Sequence, residues 1–231
     1  MHSKQIVAGT EEVDRKMAIV VARGLVATLA QDEFSHRFGG GSWTIQIPDG
    51  ASPPPTLILT LDLRDPAIRG LLPASELEHC DHELPLITRT DGSADRQDYS
   101  YDPATRTAVF SGHPWSPFCE AALPEVVSER AISLTPFGPE YLEREGSDDP
   151  FDTFLGGEAW LRVGGEPLWR TGPETATCRC GTSMFPLVWV GHESYGKRGG
   201  FLVDRAFFLG ELALYFFVCL RCRRVTVVTQ A

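Results

Sequence analysis

Leu212-Ala213-Leu214-Tyr215-Phe216-Phe217-Val218-Cys219-Leu220-Arg221-Cys222-Arg223-Arg224-Val225-Thr226-Val227-Val228-Thr229 decides how this chain is read. An aromatic and β-branched run enters a Cys-x-x-Cys, and a second such run leaves it. Runs of that composition around a short polar turn predict strand, knuckle, strand. A Cys-x-x-Cys at a hairpin tip aims two thiolates at one metal ion, and a second pair completes a tetrahedral four-sulfur site. Thr177-Cys178-Arg179-Cys180-Gly181 offers that pair. The candidate ligands are Cys178, Cys180, Cys219 and Cys222, and zinc best fits the softness and geometry of four thiolates. One residue separates Cys178 from Cys180, where a knuckle normally has two. Gly181 suits the knuckle turn, so Cys180 is the firmer ligand of the pair; His192 and Cys119 are the alternatives to Cys178. Four ordinary thiols, or a redox pair, are the other readings. A catalytic zinc is least favoured, because such sites usually keep three protein ligands and an open position with a nearby base.

Outward from the hairpin, Gly and Pro punctuate short apolar runs at 43–47, 57–63, 84–88, 108–110, 131–134 and 184–190. These read as strands. Asp65-Pro66 predicts a short helical turn reaching residue 72, since Pro is well tolerated in a first turn. Asp102-Pro103 marks a turn. A loose internal repeat sets Phe38-Gly39-Gly40, Trp43 and the run 57–61 against Phe154-Leu155-Gly156-Gly157, Trp160 or Trp169, and the run 184–190. The glycine pairs would supply positive φ or a close backbone approach. Residues 10–31 predict a helix capped by Thr10, with Glu11, Glu12 and Asp14 at the positive end of its dipole. Val13, Met17, Val20, Gly24 and Thr28 fall at helical spacing along it.

The expected fold is α+β and mostly β: an N-terminal helix, then two loosely repeated β-sheet halves, the second with a zinc-ribbon-like cysteine knuckle. The segments are 1–33, 34–137 and 138–231, within one compact unit. A chain of 231 residues can bury about 70% of its unfolded surface, so it needs no staples to build a core.

The formal net charge is −10, which disfavours a nucleic-acid binder, because phosphate contacts need a basic face. Arg221, Arg223 and Arg224 form only a weak basic footprint. The longest apolar stretch, 17–30, is interrupted by Arg23 and too short to span a bilayer. The first residues lack a signal-peptide core, so the expected location is cytoplasmic, and six cysteines there read as thiols or ligands rather than disulfides. Between 138 and 152, six acids accompany one Arg. That stretch is either a solvated loop or an acidic face for a basic partner, with Glu140, Glu143, Glu145, Asp148, Asp149 and Asp152 as the candidate contacts.

Catalytic signatures are sparse. The sequence has no Gly-x-Ser-x-Gly, phosphate-binding glycine loop, His-Glu-x-x-His or dinucleotide fingerprint. His36 and His113 stand alone. His79-Cys80-Asp81-His82-Glu83 has ligand-type residues, but five consecutive side chains do not easily converge on one ion, so a polar loop is the better reading.

Several of these segments together resemble the bacterial YwqG-like family, a domain of unknown function, and the related programmed-cell-death-2-like proteins. The resemblance rests on Leu155-Gly156-Gly157, Gly164-Gly165-Glu166-Pro167-Leu168-Trp169, Cys180-Gly181, Met184-Phe185-Pro186-Leu187 and Tyr215-Phe216-Phe217-Val218-Cys219, in that order. It is specific only in the last part of the chain. The short Cys178/Cys180 pair departs from the pattern, as does Trp189-Val190 where the family often carries Gln. The resemblance implies a pseudo-duplicated β-rich fold, a zinc knuckle where cysteines are kept, and an interaction module rather than a reaction. The expected function is a non-enzymatic binding protein with structural zinc, an immunity or antitoxin-type protein that neutralises a basic toxin. A zinc or thiol enzyme, and a chaperone or assembly factor, are the alternatives.

Overall fold

The structure, a computed structural model, describes residues 24–31, 33–47, 55–89, 96–111, 127–138, 141, 154–193, 200–202, 207 and 212–230. The strands among them are β1 (Leu25–Thr28), β2 (Arg37–Phe38), β3 (Thr44–Gln46), β4 (Thr56–Asp62), β5 (Glu83–Thr88), β6 (Gln97–Asp102), β7 (Thr107–Ser111), β8 (Arg130–Ala131), β9 (Ser133–Pro136), β10 (Leu161–Val163), β11 (Phe185–Val190), β12 (Ala213–Cys219) and β13 (Arg224–Gln230). One short helix, α1 (Pro66–Arg69), and a 3-10 turn at Leu77–His79 lie between β4 and β5. The fold is mostly β, as expected.

The strands form two sheets. Nine run in the order β3-β7-β6-β13-β12-β11-β10-β1-β9, and four in the order β5-β4-β2-β8. Every pairing is antiparallel except β3 with β7. The four-stranded sheet draws only on strands before residue 138. The nine-stranded sheet takes strands from both sides of that position, joined where β6 pairs with β13 and where β1 pairs with β10.

The central hairpin shows why this sheet is buried on both faces. Side chains on a strand alternate between faces. Along β12, Leu214, Phe216 and Val218 enter one core, while Ala213, Tyr215, Phe217 and Cys219 enter another. The first core lies against the four-stranded sheet, meeting Phe38, Ile58, Leu59, Leu61 and Leu86. Trp160, Phe201 and Phe207 close around Phe38 in it, with ring centroids 4.7–5.9 Å apart. The second core gathers Val26, Phe137, Phe154, Leu168, Met184 and Trp189, with Trp169 packed against it. Arg162 on β10 is fully buried there, its guanidinium 4.3 Å from the Phe137 ring centroid and 5.2 Å from that of Trp189. Burial brings its pKa down to about 10, so it stays cationic at neutral pH.

One expectation fails. The helix over 10–31 is not supported: residues 25–28 form strand β1, and residues 10–23 lie outside those described. The slot between β9 and β10 pairs the β1 backbone on both sides, which outweighs the helical spacing of its side chains. Gly24 was counted in the helical stripe; it is needed instead for a close approach, because a Cβ there would sit 2.6 Å from the Gly164 carbonyl oxygen.

The apolar runs read as strands hold, each overlapping one or more of β3, β4, β5, β7, β8, β9 and β11. Asp65 caps α1, its carboxylate accepting from the Ala67 N–H at 2.7 Å. Gly39 and Gly40 take φ of +68° and +95°, and a Cβ on Gly39 would lie 2.7 Å from the Val127 carbonyl oxygen.

Candidate metal centre

Two turns build the site. In the first, the Gly181 N–H donates to the Cys178 carbonyl at 2.8 Å, and the Cys178 N–H to the Thr182 carbonyl at 2.9 Å. This tight turn brings Cys180 back beside Cys178 despite the single intervening residue. Gly181 leaves it with φ of +83°, in the region that favours glycine. The second turn joins β12 to β13. Its Arg223 N–H donates to the Leu220 carbonyl at 3.0 Å, and Arg223 itself has φ of +51°.

The two turns face each other. The Sγ atoms of Cys178, Cys180, Cys219 and Cys222 all lie within 4.8 Å of one another. Cys180 and Cys219 are 3.9 Å apart. A tetrahedron of sulfurs about 2.3 Å from a central ion has edges of about 3.8 Å, so the spacing fits a bound metal. It is far from the roughly 2.05 Å of a disulfide, and all four cysteines are free. The set includes Cys178. It does not include His192, whose backbone bridges to Leu155. Cys119 and His113 lie outside the described residues.

Polar contacts hold both turns. Glu76, buried, accepts from the Leu220 N–H at 2.6 Å. The Arg223 carbonyl accepts from the Tyr101 N–H at 3.0 Å. Arg221 Nη2 donates to Thr182 Oγ1 at 3.0 Å, tying one turn to the other. Hydrogen bonds from Thr182 and Arg221 bring the Cys180 thiol down to about 5. Burial pushes Cys219 up, and the hydrogen bond with Cys180 pushes Cys222 up. Negative charge is therefore already favoured at one sulfur. A divalent cation at the centre would favour it at the others.

Elsewhere, the residues singled out from sequence are engaged locally. Cys80 donates to the Leu77 carbonyl at 2.9 Å. Glu83 pairs with Arg37 at 2.9 Å and Arg106 at 2.7 Å. His82 holds Asp81 through Nδ1 at 3.2 Å and the Tyr101 hydroxyl through Nε2 at 2.9 Å. Residues 79–83 run from the end of the 3-10 turn to the start of β5, with Cys80 buried in the first core, and they do not converge on one ion; the four cysteines are the one metal-type cluster among the described residues. His36 is buried: its Nδ1 accepts from the Asp62 N–H at 3.1 Å, so Nε2 carries the proton and donates to Asp65 at 3.0 Å. Both nitrogens are used in holding β2 to the end of β4. Of the basic footprint, Arg223 pairs with Asp102 at 3.7 Å and Arg224 donates to Ser111 at 3.2 Å. Glu140, Glu143, Glu145, Asp148, Asp149 and Asp152 all lie outside the described residues.

Sequence reasoning missed Glu76 and Glu193. Glu193 is a buried carboxylate that accepts from the Phe201 N–H at 3.2 Å and the Phe207 N–H at 2.8 Å. Neither acid sits in a motif; their partners are backbone groups distant in sequence, which no local pattern announces. No family model matches the chain, and comparison with curated proteins and with solved structures finds no significant match. Among the described residues, no helix is long and apolar enough to cross a membrane.

Proposed function

We propose that the chain is a non-enzymatic protein-binding module with a structural zinc ion held by Cys178, Cys180, Cys219 and Cys222. The observation that carries this reading is the donor set: four sulfurs lie within 4.8 Å of one another, and four thiolates are enough to close the coordination sphere of zinc. A substrate would have to displace a thiolate to reach the metal. The buried His36 takes the Asp62 N–H on Nδ1 and donates Nε2 to Asp65, so its accepting nitrogen is occupied by the backbone. Zinc would supply a cross-link between the two turns and no chemistry beyond it.

The partner in this reading is a protein with a basic surface. The net charge of −10 supports it, since acidic groups steer and select a basic partner. The likeness to the YwqG-like family extends it to neutralisation of a basic toxin in a bacterial cytoplasm, with the acidic stretch 140–152 as the contact. Two measurements test this. Metal analysis of the purified chain is expected to find one zinc per chain; none would end the structural-zinc reading. Affinity purification from the native host is expected to return one stoichiometric basic protein, whose binding weakens when the six acids of 140–152 are reversed. Unfolded clients instead would favour a chaperone role, and unchanged binding after reversal would clear that stretch.

A further inference from the structure

The four sulfurs are not equivalent. Cys178 and Cys219 are 4% and 1% exposed and belong to the second core. Cys180 is exposed and Cys222 half-buried. Each turn therefore contributes one inner and one outer sulfur, and solvent reaches the cluster from the outer side only. Arg221 lies on that side, its guanidinium donating to Thr182 Oγ1 at 3.0 Å beside the Cys180 and Cys222 sulfurs.

Resting on the metal reading above, we propose that the outer pair is an oxidation-sensitive latch: a hydroperoxide joins Cys180 to Cys222 in a disulfide and expels the metal. The Cys180 sulfur attacks the outer peroxide oxygen; an S–O bond forms and the O–O bond breaks. The departing oxygen takes a proton and leaves as water or an alcohol. The Cys222 sulfur then attacks the oxidised sulfur; an S–S bond forms, the S–O bond breaks, and hydroxide takes a second proton to leave as water. Two electrons pass from two thiolates to one peroxide. With two of four ligands consumed, the metal departs as a divalent cation. The Arg221 guanidinium stands where it can donate to the oxygen that leaves.

Cys222 is the partner rather than Cys219, although Cys219 is the one at 3.9 Å. Cys219 ends β12, paired to Arg224 and packed in the second core. Cys222 sits in the turn, and its sulfur can close the distance without moving a strand. The consequence is regulatory: oxidation replaces the four-sulfur clip with one bond between the outer sulfurs and leaves Cys178 and Cys219, in the second core, without their metal, so partner binding would respond to oxidants.

The test uses the wild-type, metal-loaded chain treated with hydrogen peroxide. Released zinc is followed with a colorimetric chelator, and thiols are counted. Two of the six thiols should be lost per metal released, and thiol reductant with added zinc should restore both. Trypsin cleaves after Arg179, Arg221 and Arg223, so each of the four cysteines falls on its own peptide and the pairing reads directly. A Cys180–Cys222 linkage is expected. In the Cys222→Ser variant a sulfenic acid should be trapped on Cys180 by a dione reagent; in wild type that adduct is replaced by the disulfide. If the untreated chain holds no metal, the zinc reading fails. If it holds one and peroxide leaves it bound, links another pair, or oxidises Cys80 first, the latch fails while the zinc reading stands.

Discussion

The two faces of the nine-stranded sheet are closed by different means. On one face the cover is a second sheet, β5-β4-β2-β8, whose strands pair their backbone groups with one another and present a continuous apolar layer. On the other face, among the described residues, the cover is largely irregular chain from 154 to 184. Irregular chain must find its hydrogen bonds one at a time. Tyr215 donates to the Leu168 carbonyl at 2.6 Å and accepts from the Arg170 N–H at 3.1 Å. Gln230 accepts from the Arg170 and Thr171 N–H groups and donates to the Gly172 carbonyl. The cysteine cluster completes the series at the end of the hairpin. Buried side chains tie the regular layer too, Tyr99 donating to the Pro85 carbonyl at 2.8 Å and accepting from the Ile87 N–H at 3.0 Å; the irregular cover adds a four-sulfur set whose spacing fits a metal.

The largest expected effect follows from removing that last tie. Structural zinc contributes on the order of 10 kcal/mol in small domains, comparable to the whole stability of an ordinary chain. A strong chelator, or Cys219→Ser, should lower the melting temperature sharply. Amide exchange should show protection lost first in 154–184, with β4 and β5 affected last. An unchanged melting curve would remove the metal from the comparison altogether.

Phe216 and Phe217 sharpen it, since they are adjacent and fully buried on opposite faces. Truncating either to Ala in the metal-loaded chain should cost about 3–5 kcal/mol. In the metal-free chain the Phe217→Ala cost should shrink, because its surroundings are already loosened, while the Phe216→Ala cost should persist. Denaturant melts of both variants, with and without metal, give the coupling directly. Equal coupling at both positions would mean that the two faces unfold as one.

The same contrast governs what could be read from sequence. The hairpin β12–β13 was legible because long aromatic and β-branched runs flank a recognisable knuckle. The cysteine set was legible from types and spacing, though only the turn geometry brings Cys178 in beside Cys180. β6 was not legible: Gln97-Asp98-Tyr99-Ser100-Tyr101-Asp102 is mostly polar, yet Gln97, Tyr99 and Tyr101 all point inward. The period-two placement of its tyrosines was the available signal. β1 was misread because its apolar spacing suits a helix, and only its two neighbouring strands decide otherwise. β2 is two residues long, too short for any periodicity.

Glu76 links the two covers, and its effect should be smaller. It lies between α1 and the 3-10 turn, in the segment joining β4 to β5, and caps the Leu220 N–H at the knuckle. Glu76→Ala leaves that buried N–H unpaired, at a cost of about 1.5–3 kcal/mol for a charged hydrogen bond. Metal should also be lost to a competing chelator at a lower concentration than in wild type. Stability lost without any change in chelator resistance would confine Glu76 to the packing between layers.

The smallest expected effect is the pH response of His82, which belongs to the sheet-covered side through its bond to Tyr101. Burial lowers its pKa, and the nearby Asp81 carboxylate only partly opposes this. In the unfolded chain the ring titrates near about 6.5. As pH falls below that value, the unfolded state takes up a proton before the folded state does, so stability is fully present above it and declines toward the lower folded value. The ring keeps partial contact with solvent, so the decline should stay below about 1 kcal/mol. Acid would also protonate the cysteine thiolates of the proposed metal site, costing stability on the other face. His82→Gln separates the two: metal loss is common to both proteins, and the difference between their stability–pH curves isolates the histidine. A difference that stays constant between about pH 7.5 and 5.5 would place the whole acid response on the other face.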